Sequence, residues 1–367
     1  MRYTFIFIVF LIVITVGEYL IFISLNRLGL LRYTYIKNTM LTMGIVLPLM
    51  FVGSMAYGGK NFSLLNSWIY TAGGVWLGLL TYLVITTLLI SILLLLNTYL
   101  GFSIPIKLIT IILIFCSIAT TVIGIINASN IRTVRIEVTS PSLSPLWKGK
   151  KIVLVSDTHL GLIRREKFMK KIVDIVNSEK PDITFNLGDL IDGPSFPYSK
   201  AFAPIDDLKS NLGNYYVEGN HESYSQEYNV FKENFPKNIN DITGKKVIVN
   251  NTQIIGIPYG AMKGKDEINN ELAKVKYDKS IPSIILMHDP KDTSQLADNG
   301  ASLVLSGHTH GGQFFPFTLL VKMIAGKYFH GLTYTKDTAE ITSYGVGTAM
   351  VPIRIGTVPE IVVVTIK

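Results

Sequence analysis

Cysteine is nearly absent from this chain. One residue, Cys116, stands among 367, which excludes a disulfide framework and a cysteine-built zinc site within one chain. Charge is also scarce: 16% of residues are Asp, Glu, Lys or Arg, against a hydrophobic share of 49%. With a mean hydropathy of +0.38, the chain is neither disordered nor collagen-like, and it is too apolar for one water-soluble domain. Acid is almost missing from residues 1–130, which hold only Glu18 beside six Lys or Arg. The later residues carry the other charges in near balance. The net charge of +8 therefore lies largely in short loops between apolar runs. Membrane-flanking charge is arranged this way, and a nucleic-acid face is not.

A spanning helix needs roughly 20 mostly apolar residues. Residues 3–23, 39–57, 68–96 and 108–126 meet that requirement, so four transmembrane helices are expected within residues 1–130. No charged residue occurs between Lys60 and Lys107, and the third run is long enough to tilt or project from the bilayer. A cleaved leader is the other reading of the first run. It lacks a small-x-small cleavage site, and three more apolar runs follow it. Glu18 is a functional candidate as an intramembrane acid; a place near the headgroups or a partner on a neighbouring helix is the plainer reading. Loop charge does not orient the chain. Arg2, Lys60, Arg132 and Arg135 fall on one side, and Arg27, Arg32, Lys37 and Lys107 on the other. The lack of cysteine after residue 130 leans toward an extracytoplasmic domain in a multi-pass membrane protein.

Residues 131–367 read as one α/β domain. Strands are expected at 132–138, 151–156, 182–187, 214–218, 246–249, 253–257, 284–287, 303–305 and 360–366, and a helix at 164–177. The continuous apolar run at 151–156 suits a strand buried on both faces. Strands alternating with helices argue for α/β layers. No internal repeat or low-complexity tract is visible.

Five segments share one grammar: an apolar strand, then polar side chains at its C-terminal tip. They are Asp157, Thr158 and His159; Gly188, Asp189 and Asp192; Gly219, Asn220, His221 and Glu222; His288 and Asp289; and Gly307, His308, Thr309 and His310. In open α/β sheets, sites gather beyond the carboxyl ends of strands. In extended chain, residues i and i+2 point the same way, so Asp157 and His159 are expected to converge, as are His308 and His310. Oxygen and nitrogen donors without sulfur suit Mn, Fe, Zn or Co more than Ca. A lone His is usually a surface or satisfied core residue, and a lone Asp at a strand tip is usually a turn residue. Five of the six histidines fall in these segments, and only His330 does not. That coincidence favours a metal site.

These blocks resemble the five signatures of the calcineurin-like metallophosphoesterase superfamily over roughly residues 132–367. The resemblance implies a fold of two central mixed β-sheets flanked by helices, following a four-helix transmembrane region. Gly311, Gly312 and Gln313, then Gly345, Gly347 and Thr348, Pro352, Ile353 and Arg354, and Pro359, Glu360 and Ile361 resemble its bacterial membrane-associated branch. That branch includes cell-wall-associated and UDP-diacylglucosamine pyrophosphatase-like enzymes. Carried over, it implies two divalent metal ions, roughly 3.5–4 Å apart as in two-metal sites generally. One would be held by Asp157, His159, Asp189 and His310, the other by Asp189, Asn220, His288 and His308. A metal-bridging hydroxide would attack phosphorus in line. His221 resembles the residue that stabilises the transition state or protonates the leaving group. Asp192 would orient His221 or a ligand from behind, and Glu222 and Asp289 would support less directly.

The expected activity is that of a membrane-anchored phosphohydrolase acting on a phosphoester or pyrophosphate, with membrane lipids and a lipid-linked phosphate as partners. Two other classes fit less well. A nuclease lacks the basic, aromatic-interleaved stretch that strand binding uses, and a non-catalytic partner-binding protein would not need an intact ligand set. The apolar run 314–324 is expected to be a loop, either packed in the core or touching the bilayer.

Overall fold

A computed structural model describes residues 2–58, 62–193, 196–225, 227–260, 265–290 and 293–367. The chain divides into two compact units, Met1–Ile126 with Met350–Ile353, and Asn127–Ala349 with Arg354–Lys367.

The first unit holds helices α1 (Arg2–Arg27), α2 (Thr34–Gly58), α3 (Leu64–Leu100) and α4 (Ile106–Asn127). Among the described residues, three segments are long and apolar enough to cross a membrane: Thr34–Met55, Leu64–Leu100 and Ile106–Asn127. The expected first span, 3–23, is helical, but the side chains of residues 1–10 lie outside the described part. Apolar side chains face outward here as well as inward, and hydroxyls share the interior. Large apolar residues such as Leu88, Ile92, Phe115 and Ile118 face outward, while Ser67, Thr86, Thr110, Ser117 and Thr121 are buried. Several of these hydroxyls return to the carbonyl four residues earlier, as Thr110 does to Ile106 at 2.8 Å, which leaves no donor for lipid to satisfy. Thr86 also meets Ser117 across helices at 2.9 Å. At Gly73 a Cβ would lie 2.6 Å from the Phe51 side chain, so only glycine admits this approach of α2 to α3. Ser63 caps α3 by accepting from the Asn66 amide, and Gly101 ends it in the left-handed region at φ 70°, as caps of these types do. Glu18 accepts a hydrogen bond from Trp76 Nε1 at 3.1 Å.

The second unit contains twelve described strands in two six-stranded sheets. One sheet has the order β1-β12-β2-β3-β4-β5 and the other β10-β11-β9-β8-β7-β6. In the first, β1 is Arg132–Val138, β2 Lys151–Val155, β3 Ile183–Asn186, β4 Asn214–Tyr216, β5 Asn240–Asp241 and β12 Glu360–Ile366. In the second, β6 is Lys246–Val249, β7 Thr252–Gly256, β8 Ser283–Leu286, β9 Leu303–Ser306, β10 Gly331–Thr335 and β11 Thr338–Thr342. Both sheets are mixed: β2, β3 and β4 run parallel while β12 opposes β2, and β7, β8 and β9 run parallel while β6 opposes β7.

Buried side chains of both sheets form one core, including Ile152, Leu154, Phe185, Ile254, Leu286, Leu305 and Val364. Each fully buried residue of this kind contributes about 1.5–3 kcal/mol of transfer free energy. Helix α5 (Glu166–Ser178) buries Met169, Ile172, Val173 and Val176 along one stripe, as a 3.6-residue period requires. Beyond the second sheet, Ile268 and Leu272 of the helix Lys265–Lys274 join Ile255, Ile285 and Val304. The parallel strands at the middle of each sheet thus end near one another, and their tips carry the polar segments.

Several elements differ from expectation. The hairpin β10–β11 and the two-residue β5 carry too little apolar alternation to stand out. The run 314–324 is not a loop: Phe317–Ala325 is a helix with no buried residue, and only Phe314 of the run packs into the core.

Candidate metal centre

Three of the five tips break from their strands through left-handed backbone. Asp157, His159, Asp189, His308 and His310 have φ of 54°, 49°, 51°, 73° and 48°. Non-glycine residues rarely adopt this region, and it tends to persist where surrounding structure over-determines it. Convergence of Asp157 with His159 therefore comes from two sharp turns and not from extended chain. The same turns separate His308 from His310, contrary to the i, i+2 expectation, and send them into different clusters.

Surrounding hydrogen bonds hold those turns. The Asp157 amide donates to the Gly188 carbonyl at 3.0 Å and the His159 amide to the Asp189 carbonyl at 3.0 Å. Asp157 accepts from the His308 amide at 3.1 and 3.0 Å, joining the two sheets. Asp189 accepts from the His221 amide at 2.9 Å. Buried Glu222 ties three amides: Asp189 at 3.0 Å, Ile191 at 3.0 Å and Gly219 at 2.9 Å. Sequence reasoning gave Glu222 only a supporting place, and the structure makes it the clamp between two tips.

Three clusters result, each able to hold a metal ion: Asp157, His159 and His310; Asp189, His288 and His308; and His159, Asp189 and His221. In the first, His159 Nε2 lies 2.8 Å from His310 Nε2 and His310 Nε2 3.5 Å from Asp157 Oδ1. In the second, His288 Nε2 lies 3.1 Å from Asp189 Oδ2, 3.1 Å from Asn220 Oδ1 and 3.0 Å from His308 Nδ1. Asp189 Oδ2 stands 3.8 Å from His159 Nε2 and so touches both groups. The residues fit divalent cations on chemical grounds: buried Asp and His side chains crowd together with half-buried Asn220 and His308, and without sulfur they match Mn, Fe, Zn or Co.

Partners behind the donors orient them. His288 Nδ1 donates to the Leu187 carbonyl at 2.7 Å, which turns Nε2 toward Asp189. His159 Nδ1 lies 3.3 Å from the Asp192 carboxylate. Asp192 also presents its backbone carbonyl to His221 Nδ1 at 2.9 Å, leaving half-buried His221 with Nε2 4.0 Å from Asp189 Oδ2. Asp192 thus supports both a ligand candidate and His221. Asp289, half-buried, acts through its charge on His308.

Electrostatics follow from burial and neighbours. Burial alone would raise the Asp189 pKa, but His288 outweighs it and holds the carboxyl far below its usual range. Burial would lower His288, yet Asp189 lifts it to about 10. His310 is pushed well below the ordinary histidine value by burial and then by the Arg354 guanidinium.

Arg354 was singled out only as part of a tail motif. It is fully buried and donates to the carbonyls of His310 at 3.0 Å, Tyr344 at 2.9 Å and Gly347 at 2.7 Å. Its Nη2 lies 2.9 Å from His310 Nδ1. The tail glycines also have a local reason: a Cβ at Gly345 would lie 2.5 Å from the Asp157 Cβ, and one at Gly347 2.3 Å from the Thr158 carbonyl. His330 lies outside the donor clusters. It pairs with buried Glu360 at 3.1 Å and stacks on Tyr344 at 3.7 Å.

Two facing mixed sheets with Asp, His and Asn donors at their strand tips define a metal-site α/β sandwich. Comparison with known proteins narrows the class. A family model described as calcineurin-like phosphoesterase matches residues 150–312. A metallophosphoesterase of Campylobacter jejuni is 33% identical over 72% of this chain and 70% of its own. A transmembrane protein with a metallophosphoesterase domain from Bos taurus is 31% identical over 66% of this chain and 58% of its own. A Helicobacter pylori metallophosphoesterase is 35% identical over 60% of each chain, so the match spans about three fifths of that relative's length. This chain belongs to the calcineurin-like phosphoesterase family.

Proposed function

We propose that this chain is a membrane-anchored, metal-dependent phosphohydrolase that cleaves a phosphoester or phosphoanhydride bond. The observation that carries the reading is the convergence of Asp157, His159, Asp189, His288, His308 and His310 from four strand tips into adjoining clusters. Asp157, His159, Asp189 and His310 would hold one divalent cation, and Asp189, Asn220, His288 and His308 a second, with Asp189 shared. Bound there, such cations act as Lewis acids on a phosphoryl oxygen and lower the pKa of a coordinated water.

The chain's own groups do the rest. His221 holds a proton at Nε2 for the leaving oxygen, while the Asp192 carbonyl fixes Nδ1. The Asp192 carboxylate orients His159, and Glu222 keeps the tips carrying Asp189 and Asn220 in register. Residues 1–130 form the anchor and 131–367 the catalytic domain, and a lipid-linked phosphate suits that pairing.

Hydrolysis of bis-p-nitrophenyl phosphate by the purified full-length protein with added Mn²⁺ tests the reading. Turnover is expected for wild type, with large losses in Asp189→Ala and His221→Ala. If wild type and Asp189→Ala are equally inert across Mn²⁺, Fe²⁺, Zn²⁺ and Co²⁺, the enzymatic reading is wrong and a binding role replaces it.

A further inference from the structure

The helix Phe317–Ala325 begins a few residues after His310 and is locked to that turn. A Cβ at Gly312 would lie 2.4 Å from the Phe317 carbonyl, so the helix start sits directly on the turn's backbone. Phe314 is buried and meets Phe317 edge to face at 5.1 Å. Thr318, Val321 and Ala325 form the half-buried side. The opposite side is apolar and open: Met323 is 83% exposed and Ile324 77%, with Phe317, Leu319 and Leu320 also exposed. A helix on a water-facing surface normally turns polar residues outward, and a contiguous exposed apolar face marks an interaction surface.

Charge and chain length select the partner. Lys322 and Lys327 are exposed beside this face, and no acidic residue lies between Asp298 and Asp337. Aromatic and aliphatic residues flanked by lysine are what an interfacial helix presents to anionic lipid. On the proposed reading of the helical unit, the start of β1 lies close to a bilayer. Only residues 128–131 separate α4 from β1, and four extended residues span at most about 14 Å.

We infer that the helix Phe317–Ala325 docks its Leu320, Met323 and Ile324 face into the anionic bilayer spanned by the chain's own helices, and so holds the His308–His310 turn at headgroup depth. The inference rests on the spanning role given to residues 1–130, and it assigns the proposed site a phosphate carried on a lipid.

Site-specific fluorophores on full-length protein in phosphatidylcholine–phosphatidylglycerol vesicles test it without any activity readout. Native Cys116, exposed on α4, reports the span. Met323→Cys and Ile324→Cys, each with Cys116→Ser, report the helix. Ile248→Cys with Cys116→Ser, at an exposed strand position, reports water. Labels at 116, 323 and 324 are expected to be quenched by acyl-brominated lipid and shielded from iodide, and the label at 248 to show the reverse. If 323 and 324 behave like 248 while 116 is lipid-quenched, the docking inference fails and the spanning reading survives. Shielding of 323 and 324 from both quenchers would mean a protein covers the face and would also overturn it. If 116 itself is reached only by iodide, the spanning reading fails and the inference falls with it.

Discussion

The two units differ in where their large apolar residues lie. In the helical unit Leu88, Phe115 and Ile118 face outward, and Ser67, Thr86 and Ser117 share the interior with Phe51, Tyr70 and Ile90. In the sandwich the interior holds Ile, Val, Leu and Phe, together with fully buried Asp157, Glu222, Arg354 and Glu360. The same physics gives both patterns. Where the solvent is lipid, apolar contact outside gains nothing, and association depends on close approach and hydroxyl bonds. Where the solvent is water, apolar burial drives folding, and the stability it provides offsets the cost of burying charge. One unit suits an anchor, and the other can hold a cluster of donors out of water.

That contrast sets the size of the expected effects. Asp189 joins two donor clusters, so Asp189→Ala should lower phosphodiester hydrolysis by about 10³-fold or more, the scale expected when a positioned electrostatic centre is lost. Steady-state assays at saturating Mn²⁺ check this. Next comes Arg354→Ala. It leaves several buried carbonyls without their donor and should cost roughly 3 kcal/mol, in the range for broken buried charged networks, read as a fall in Tm. Metal should act on the sandwich alone. Mn²⁺ at 100 times its Kd should add about 2.7 kcal/mol to a ligand-binding fold, and Asp189→Ala should abolish that shift. Within the helices, Gly73→Ala forces a Cβ against Phe51 and should cost about 1–3 kcal/mol by overpacking, seen as a lower detergent melting temperature with metal affinity unchanged. The smallest effect is expected for Thr86→Val. Interhelical hydroxyl bonds average about 0.6 kcal/mol in membranes, and a larger loss would mean that the helical interior is organised more like the sandwich than described.

The parts legible in the sequence were those where scarcity and pattern coincide. Apolar runs such as 151–156 and 303–305 announce buried strands, and five of six histidines follow such runs. Long apolar helices announce themselves by length. Other features depend on three-dimensional context. Nothing local in Asp157 or His310 signals a left-handed φ, because neighbours across both sheets impose it. Glu222 and Arg354 look like surface charges until folding surrounds them with amides and carbonyls. The hairpin β10–β11 is half-exposed on β10 and rich in Thr, so its alternation is weak. The helix Phe317–Ala325 is too short for periodicity to separate it from a loop, and its apolar side faces outward, against the usual rule.

The most direct test of the account is the metal content of purified full-length protein, measured by elemental analysis after equilibration with Mn²⁺ and desalting. The account predicts close to two ions per chain in wild type, as a two-metal site requires. It predicts loss of most of that metal in Asp189→Ala, because the shared carboxylate is gone, and retention in Gly73→Ala. Equal metal content in wild type and Asp189→Ala, or none in wild type with any of Mn²⁺, Fe²⁺, Zn²⁺ and Co²⁺, would contradict it.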